Sequence, residues 1–484
     1  MASLGAVLIT GCFLIVVGLI LLDKLNRAIV SVSGALFTYY VLTFLEGRDF
    51  QVIVDILFGS SPDGFVNLRS LILIVGIMFI VKIAEEAGLF QFVAVYAIKL
   101  SRGNPVALMT IFCSLAVISS AILNNIVTVM ILIPLTITIS RILDCNPSPY
   151  ILTQAVMVNI GGTIFSISSI PNILITTSAQ ISFIDFFVNV GLWSIVVVAF
   201  TIPFFLFLYK PDLVRPDDHL VETLNVLDVW NVVPSKRLLI ISMLSLLTLM
   251  TSFLVIPASL VPPDAIALTI GMAVVVASKL DNVEEERIIK KLDYELILYL
   301  LGIFVIAGGL ELTGVIGEIG KALKATGGGI PILAQIVALM WVAAFLSSII
   351  DNIPITKVMI PLVGDFIPDE GISQQTRNSY YYALSFGSNW GDNLTPLGDN
   401  ILVMNLAKEG KRPIKMFDFW RLGFATTIFQ LILGSFYFVF VFDFIIGLFI
   451  LLGAIIAVLG LWISSKKVTF IGSIGQKFRR LLTA

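Results

Sequence analysis

Two short polar motifs interrupt long apolar stretches of this sequence, and the motifs are copies of each other. The first reads Ser-Ala-Ile-Leu-Asn-Asn-Ile-Val-Thr at residues 120–128, and the second reads Ser-Ser-Ile-Ile-Asp-Asn-Ile-Pro-Ile-Thr at residues 347–356. The residues that align at one constant spacing are Ser120, Asn124, Asn125 and Pro134 with Ser347, Asp351, Asn352 and Pro361. Duplicated membrane helices that polar residues interrupt are the best sequence indication of a transporter's binding site.

A second polar cluster follows each motif, where another apolar run is broken. Asn159-Ile-Gly-Gly-Thr aligns with Asn389-Trp-Gly-Asp-Asn. Amide, hydroxyl and freed carbonyl oxygens can bind Na⁺ in broken helices, and the N-termini of half-helices attract anionic groups. We therefore predict one binding site in each half. The candidates are Ser120, Asn124, Asn125, Thr128, Asn159, Gly161, Gly162 and Thr163 in the first site, and Ser347, Asp351, Asn352, Thr356, Asn389, Asp392, Asn393, Thr395 and Asp399 in the second.

The two predicted sites differ in charge. The charged positions Asp351, Asp392, Asp399 and Lys357 stand where the first half has Asn124, Gly162, Ser169 and Met130. The single histidine, His219, lies in a polar linker, so any proton carrier within the membrane must be a carboxylate. We expect the four charged residues to couple transport to ions, and Na⁺ to bind at Asn124, Asn125, Asp351 and Asn352. Alternatively, Asp399 caps a helix, Lys357 is a structural or snorkelling residue, and the uncharged residues only ease turns and helix packing.

The elements that must position these residues are membrane-spanning helices. The 484 residues are 58% hydrophobic and 13% charged, which is typical of an all-α polytopic membrane protein. We predict spans at about residues 5–22, 28–45, 69–86, 188–209, 237–256, 263–279, 294–313, 422–442 and 444–463. Segments 105–140 and 331–366 carry the motifs near their centres and are predicted re-entrant hairpins, unless each is two ordinary helices joined by a short loop.

The duplication predicts two inverted-topology repeats, because each half holds an odd number of spans. Residues 1–209 form the first repeat, with the hairpin at 105–140 and a broken helix at 151–180. Residues 237–443 form the second, with the hairpin at 331–366 and a broken helix at 376–405. Residues 210–236 are then a cytoplasmic linker, and residues 444–484 an appended transmembrane helix with a basic cytoplasmic tail.

Lysine and arginine residues predict the orientation. The basic loop at 408–421, the basic tail and the short turns near Arg27 and Arg102 fall on one side if the N-terminus is outside and the C-terminus is cytoplasmic. We expect a multi-pass protein of the plasma membrane, in contact with the lipid bilayer. No basic, aromatic-rich patch indicates nucleic-acid binding, and the three scattered cysteines indicate packing rather than a metal site. No cofactor is expected apart from possible Na⁺.

At these motifs the chain resembles the ion transporter superfamily, in the branch of arsenite permeases, the melanosomal P protein and some sodium/proton antiporters, which share a citrate transporter-like domain and are related to divalent anion:sodium symporters. The motifs that carry the resemblance are Asp351-Asn352-Ile353-Pro354, Gly308-Gly309-Leu310-Glu311 and Asn393-Leu394-Thr395-Pro396. The resemblance implies inverted repeats, a homodimer and elevator-like alternating access, with Na⁺ at hairpin tips in related carriers. The family usually has Asp-Asn at the first tip, where this chain has Asn124-Asn125.

These observations predict a secondary active transporter, not an enzyme. Its cargo is expected to be a small inorganic or organic ion, either an anion or a neutral oxyacid such as arsenite, coupled to H⁺ or Na⁺. A Na⁺/H⁺ antiporter that uses Asp351 and Asp399 is the alternative within transport. An intramembrane protease is a remote alternative, suggested by Gly391-Asp392 and Gly398-Asp399, although neither has the Gly-x-Gly-Asp pattern.

Overall fold

The described part of the chain consists of helices and their connections. The computed structural model describes residues 3–22, 25–60, 64–217, 219–222, 228–278, 285–327, 329–368, 371–396 and 399–448. Within these residues, ten helices are long and apolar enough to cross a membrane. The predicted all-α polytopic class is therefore confirmed.

The first half contains ten helices within the described residues. They are α1 (Leu4–Leu21), α2 (Arg27–Phe44), α3 (Phe50–Phe58), α4 (Val66–Glu86), α5 (Leu89–Leu100), α6 (Pro105–Ile122), α7 (Asn125–Ile142), α8 (Ser148–Gly161), α9 (Ile170–Ser178) and α10 (Phe183–Leu208, with a π-helical turn). Helix α3 was not predicted, because its nine residues are too few to span a membrane.

The helices of the second half follow the same order. They are α11 (Lys236–Val255), α12 (Pro263–Ser278), α13 (Glu285–Lys290), α14 (Tyr294–Leu312), α15 (Val315–Gly327), α16 (Ile332–Ile349), α17 (Asn352–Phe366), α18 (Gln374–Gly391), α19 (Asp399–Glu409) and α20 (Met416–Phe442). The predicted helix at 444–463 lies outside the described residues from position 449 onward. The inversion of the halves and the domain boundaries stay predictions.

One group of helices consists of two pairs, each of which joins a helix of the first half to a helix of the second. Helix α2 packs along α14, and α4 packs along α12. Both crossings are close because small residues face backbone: a Cβ on Gly302 would lie 2.5 Å from the carbonyl carbon of Ser31, and one on Gly76 would lie 2.5 Å from the backbone nitrogen of Leu268. This group, which we call the framework, consists of α2, α4, α12 and α14.

A second group contains the two motifs. Helix α6 packs on α8, and α16 packs on α18. A Cβ on Gly161 would lie 2.6 Å from the carbonyl oxygen of Val117, and one on Gly391 would lie 2.3 Å from that of Ala344, so both contacts require glycine. The first arm of each hairpin segment is thereby fixed to the broken helix of its own half, and each motif lies where that helix breaks.

Candidate functional site

Each motif forms a tip, a two-residue extended break between consecutive helices. Leu123 and Asn124 separate α6 from α7, and Ile350 and Asp351 separate α16 from α17. Asn124 and Asp351 are the N-cap residues of α7 and α17, a position where Asn and Asp are strongly favoured. The two tips therefore have the same backbone arrangement.

The first tip is closed by its own hydrogen bonds. Asn124 Oδ1 caps α7 by accepting the Val127 N–H at 2.8 Å. The hydroxyl of Ser120 donates to Asn125 Oδ1 at 2.9 Å, and Asn125 Nδ2 donates to Asn159 Oδ1 at 2.7 Å. The amide of Asn125 is thus shared between its own hairpin and the broken helix.

Asparagine side chains join the two halves at the centre of the molecule. Asn159 Nδ2 donates to Asn393 Oδ1 at 2.7 Å and lies 3.3 Å from Asp392 Oδ2. In the reverse direction, Asn389 Nδ2 donates to Asn172 Oδ1 at 2.9 Å. All five side chains are buried. The breaks in the two helices are therefore held against each other by a polar network.

Each break is also closed from within its own half. Asn172 Nδ2 donates to the Gly162 carbonyl at 2.8 Å, and Asn400 Nδ2 donates to the Asp392 carbonyl at 2.8 Å. Carbonyl groups freed by a broken helix must find donors at membrane depth, and these two amides supply them in equivalent ways.

At the second tip the N-cap side chain points away from its own helix. Asp351 makes no side-chain capping bond to α17. Instead, Asp351 Oδ2 accepts the hydroxyl of Tyr299 at 3.2 Å and lies 3.7 Å from Nη1 of Arg27. Arg27 begins α2 and Tyr299 lies in the first part of α14, so the carboxylate binds the tip to the framework.

The second tip also carries an unsatisfied amide. Asn352 is 3% exposed, and within the described residues its side chain makes no hydrogen bond. The hydroxyls that could have reached it bond elsewhere: Ser347 donates to the Ser388 carbonyl and Thr356 to the Asn352 carbonyl, both at 2.6 Å. Because the Asn352 side chain lines a cavity, its amide can bond to a molecule there and is a candidate ligand-binding group.

A cavity of about 270 Å³ lies between the two tips. Its polar lining residues are Arg27, Asn124, Asn125, Ser169, Asp293, Glu295, Tyr299 and Asn352. The N-termini of α7, α9 and α17 all meet this cavity, and each contributes a partial positive charge. One of the two acidic groups from α14 is partly offset, because Asp293 Oδ1 accepts the Leu296 N–H at 2.9 Å.

The remaining predicted residues have other environments. Gly161 packs against α6, Thr163 bonds to Ser194 at 2.8 Å, and Thr395 donates to the Ser348 carbonyl. Asp399 begins α19, but its side chain lies outside the described residues. Of the predicted set, Asn124, Asn125 and Asn352 line the cavity, with Asp351 beside them.

Lys357 lies away from this cavity. Its Nζ donates to Asn67 Oδ1 at 2.6 Å and stands 4.8 Å from the ring centre of Phe304, inside a separate space that Asp55 and Glu311 also line. The structure therefore does not bring Lys357 together with the second tip.

Four polar residues of the cavity were missed from sequence, namely Arg27, Asp293, Glu295 and Tyr299. The first and the last of them contact Asp351. Arg27 was interpreted only as a charge that sets orientation, and Tyr299 as part of an apolar span. The available signal was weak in both cases: an arginine at the start of a span, and a tyrosine one and a half turns into another. Neither is near the motifs in sequence.

Comparisons with known proteins agree with this fold. The citrate transporter (CitMHS) family model matches residues 17–377. An "uncharacterized transporter" of Mycobacterium tuberculosis is 27% identical over 422 residues, covering 87% of this chain and 94% of that protein. The human P protein is 23% identical, covering 87% of this chain and 58% of that protein. The crystal structure of the Alcanivorax borkumensis YdaH transporter has a TM-score of 0.56 at 17% identity, covering 81% of this chain and 88% of that one.

Proposed function

The chain belongs to the citrate transporter family and is a secondary transporter, and we propose that it moves a small anion through the cavity between the two tips. One observation carries this proposal. Three helix N-termini, the guanidinium of Arg27 and the unbonded amide of Asn352 meet at a single cavity. These are the groups that bind carboxylates and oxyanions.

The electrostatics favour an anion over a neutral oxyacid. Each helix N-terminus is equivalent to roughly half a positive charge. These partial charges and Arg27 attract an anion strongly but add little to the binding of an uncharged molecule. The carboxylates of Asp293, Glu295 and Asp351 oppose the anion unless they are neutralised or offset. Arsenous acid, which needs only hydrogen bonds, is therefore the second candidate substrate.

The coupling ion would act at the tips. Asp351 is the buried carboxylate beside the cavity and is the proposed site for H⁺. Na⁺ is supported at the first tip by Thr128, whose buried Oγ1 has no hydrogen-bond partner within the described residues and whose neighbours Asn124 and Asn125 offer amide oxygens. Transport coupled to one or both ions follows from these positions.

The motion proposed for transport is elevator-like. The two hairpin segments and the broken helices pack on one another, while the framework consists of two tight pairs, α2 with α14 and α4 with α12. The framework meets the group that carries the tips at less extensive contacts, those of α4 with α9 and of α14 with α17. Such a division supports a moving part and a static part. We propose in addition that the framework mediates a homodimer in the plasma membrane, with the N-terminus outside and the C-terminus cytoplasmic.

Uptake into proteoliposomes tests the proposal. Purified protein is reconstituted, and uptake of citrate, succinate, phosphate and arsenite is measured under an imposed H⁺ or Na⁺ gradient. We expect gradient-driven uptake of at least one of the three anions. If arsenite alone is taken up, the substrate is the neutral oxyacid and not an anion.

The same vesicles separate the antiporter alternative. If a Na⁺ gradient changes the internal pH in the absence of any other solute, the protein is a Na⁺/H⁺ antiporter and the anion proposal fails. The protease alternative receives no support, because the family and the Mycobacterium tuberculosis relative are described as transporters.

A further inference from the structure

We propose that Arg27 is the anion-recognition residue of the cavity, and that the transported anion and the carboxylate of Asp351 compete for it. The inference rests on the transport function proposed above, and it names the group that selects the substrate and the group that links binding to protons. Its structural basis is the contact between a framework residue and a hairpin tip, 3.7 Å from Arg27 Nη1 to Asp351 Oδ2.

The two partners of this contact differ in exposure. The Asp351 side chain is 4% exposed, whereas that of Arg27 is 24% exposed and lines the cavity. A guanidinium has five N–H donors, and one carboxylate does not occupy them all. Because the Arg27 side chain lines the cavity, an anion there can reach the guanidinium while the carboxylate stays behind it.

The N-terminus of α17, next to Asp351, has backbone N–H groups that an anion could bind. Aspartate caps helices as well as asparagine does, yet Asn124 caps α7 while Asp351 does not cap α17. The third residue of α17 is Pro354, which has no N–H. The backbone N–H groups of Asn352 and Ile353 therefore face the cavity region without a side-chain cap, next to the unbonded amide of Asn352.

Competition makes anion binding proton-linked. In the absence of substrate, the Asp351 carboxylate neutralises Arg27. When an anion binds Arg27 and the start of α17, two negative groups would share one guanidinium, which is unfavourable in a buried site. Asp351 then takes up one proton from the aqueous phase and becomes a neutral carboxylic acid. No other bond changes, and one anion enters with one proton.

Within the described residues, few other charged groups lie around Asp351. Helix α14 brings Tyr299, Asp293 and Glu295 to the same cavity, and α2 brings Arg27. Helices α9 and α16, which also pack on α17, contain no titratable side chain. On α15, Glu318 and Lys321 pair with each other at the surface. Arg377 of α18 lies in the first turn of that helix, at the end opposite the tip.

Binding measurements on the purified full-length protein test the inference. The probes are citrate, succinate and inorganic phosphate, with arsenous acid as the neutral probe, and binding is followed by the rise in unfolding temperature. Proton uptake is recorded in weak buffer with a pH indicator. The variants are Arg27→Gln, Arg27→Lys and Asp351→Asn. Arg69→Gln is the matched control, because Arg69 pairs with Asp264 at 3.2 Å outside this cavity.

The expected results differ for each variant. The wild-type protein takes up about one proton per anion and binds more tightly as the pH falls. Arg27→Gln weakens anion binding by about 30-fold or more, the usual result of removing one partner of a buried charge contact, and Arg27→Lys restores part of it. Asp351→Asn binds the anion at least as tightly as wild type, with no proton uptake and no pH dependence. Arg69→Gln behaves as wild type.

Two results would overturn the inference while leaving the transport function intact. One is wild-type anion affinity in Arg27→Gln, and the other is continued proton uptake in Asp351→Asn. If the wild-type protein neither binds nor takes up any of the three anions, the proposed function itself has failed.

Discussion

The two tips share a sequence pattern and a backbone arrangement, but one is closed and the other is open. At the first tip, Asn124 caps its helix, and Asn125 is held by Ser120 and Asn159. At the second tip, Asp351 reaches the framework, and the Asn352 amide makes no hydrogen bond within the described residues. Equal spacing thus fixes where the polar groups lie, while their neighbours determine whether they are available to a ligand.

The cause of the difference lies in the broken helices. Asn159 directs its carbonyl oxygen to Asn125, whereas its counterpart Asn389 directs its amide to Asn172 and accepts the Ser169 hydroxyl at 2.6 Å. The second tip therefore loses the partner that closes the first. The comparison shows that the first tip is held by residues of its own half, whereas the second tip contacts Arg27 of the other half and leaves its amide open to the cavity. We therefore propose that the first tip is an anchor and that the second tip binds the cargo.

The strongest way to break this comparison is to neutralise the charge of the open tip. Asp351→Asn is expected to abolish gradient-driven accumulation, reducing it to the level of protein-free vesicles, because it removes the carboxylate that we propose for coupling. Folding and membrane insertion should be retained, since Asn is a good N-cap residue and can bond to α17. Uptake in proteoliposomes and size-exclusion chromatography provide the two measurements.

Normal gradient-driven uptake by Asp351→Asn would show that the open tip does not couple transport. The matched substitution at the closed tip is Asn124→Asp, which adds a carboxylate at the equivalent position. It should leave Asp351-dependent coupling in place.

The two tips share a close glycine contact between the broken helix and the first arm of the hairpin segment, and this contact can be tested by substitution. Gly161→Ala and Gly391→Ala each place a methyl group within 2.6 Å of a backbone carbonyl oxygen or closer, so each should destabilise the protein by about 3 kcal/mol. Gly11→Ala is the control, because nothing lies within 4 Å of its added Cβ. Thermal unfolding in detergent measures all three. A large difference between the two tip variants would mean that the halves are not packed equivalently.

Much of this architecture could be predicted from the sequence. Long apolar runs and their polar interruptions located the spans, the two tips and the two breaks, since burial in lipid forces backbone hydrogen bonding to be local. The start of helix α20 was predicted less well. The helix begins at Met416 and not near residue 422, because Phe417 and Trp420 continue the apolar sequence on the N-terminal side of Arg421.

The roles at the site could not be predicted in the same way. Asn125 and Asn352 have identical spacing from a preceding serine, so nothing local distinguishes a bonded amide from a free one. The contact between Arg27 and Asp351 joins residues that are far apart in the chain, and an arginine at a span terminus is ordinarily a topology signal. Such contacts depend on how helices pack, which local patterns do not specify.

A paired substitution sharpens the contrast between the bonded and the free amide. Asn125→Ala removes two hydrogen bonds from a buried network and should cost about 2 kcal/mol of stability. Asn352→Ala removes no hydrogen bond and should change stability by less than about 0.5 kcal/mol, but it should weaken anion binding about tenfold. Unfolding temperature and anion titration of both variants give the comparison. The assignment of roles is reversed if Asn125→Ala loses affinity and Asn352→Ala loses stability.

The smallest expected effect concerns the cap of the closed tip. Asn124→Ala removes the acceptor of the Val127 N–H and should cost about 1 kcal/mol, while Asn124→Ser, which can still cap, should restore most of it. Because Asn124 also lines the cavity, the Ala variant should weaken substrate or ion affinity more than turnover. A loss of turnover with unchanged affinity would instead place the first tip in the moving step of transport. In that case, the closed hydrogen-bond network would be a hinge that opens in each cycle, and the division between an anchoring tip and a binding tip would have to be abandoned.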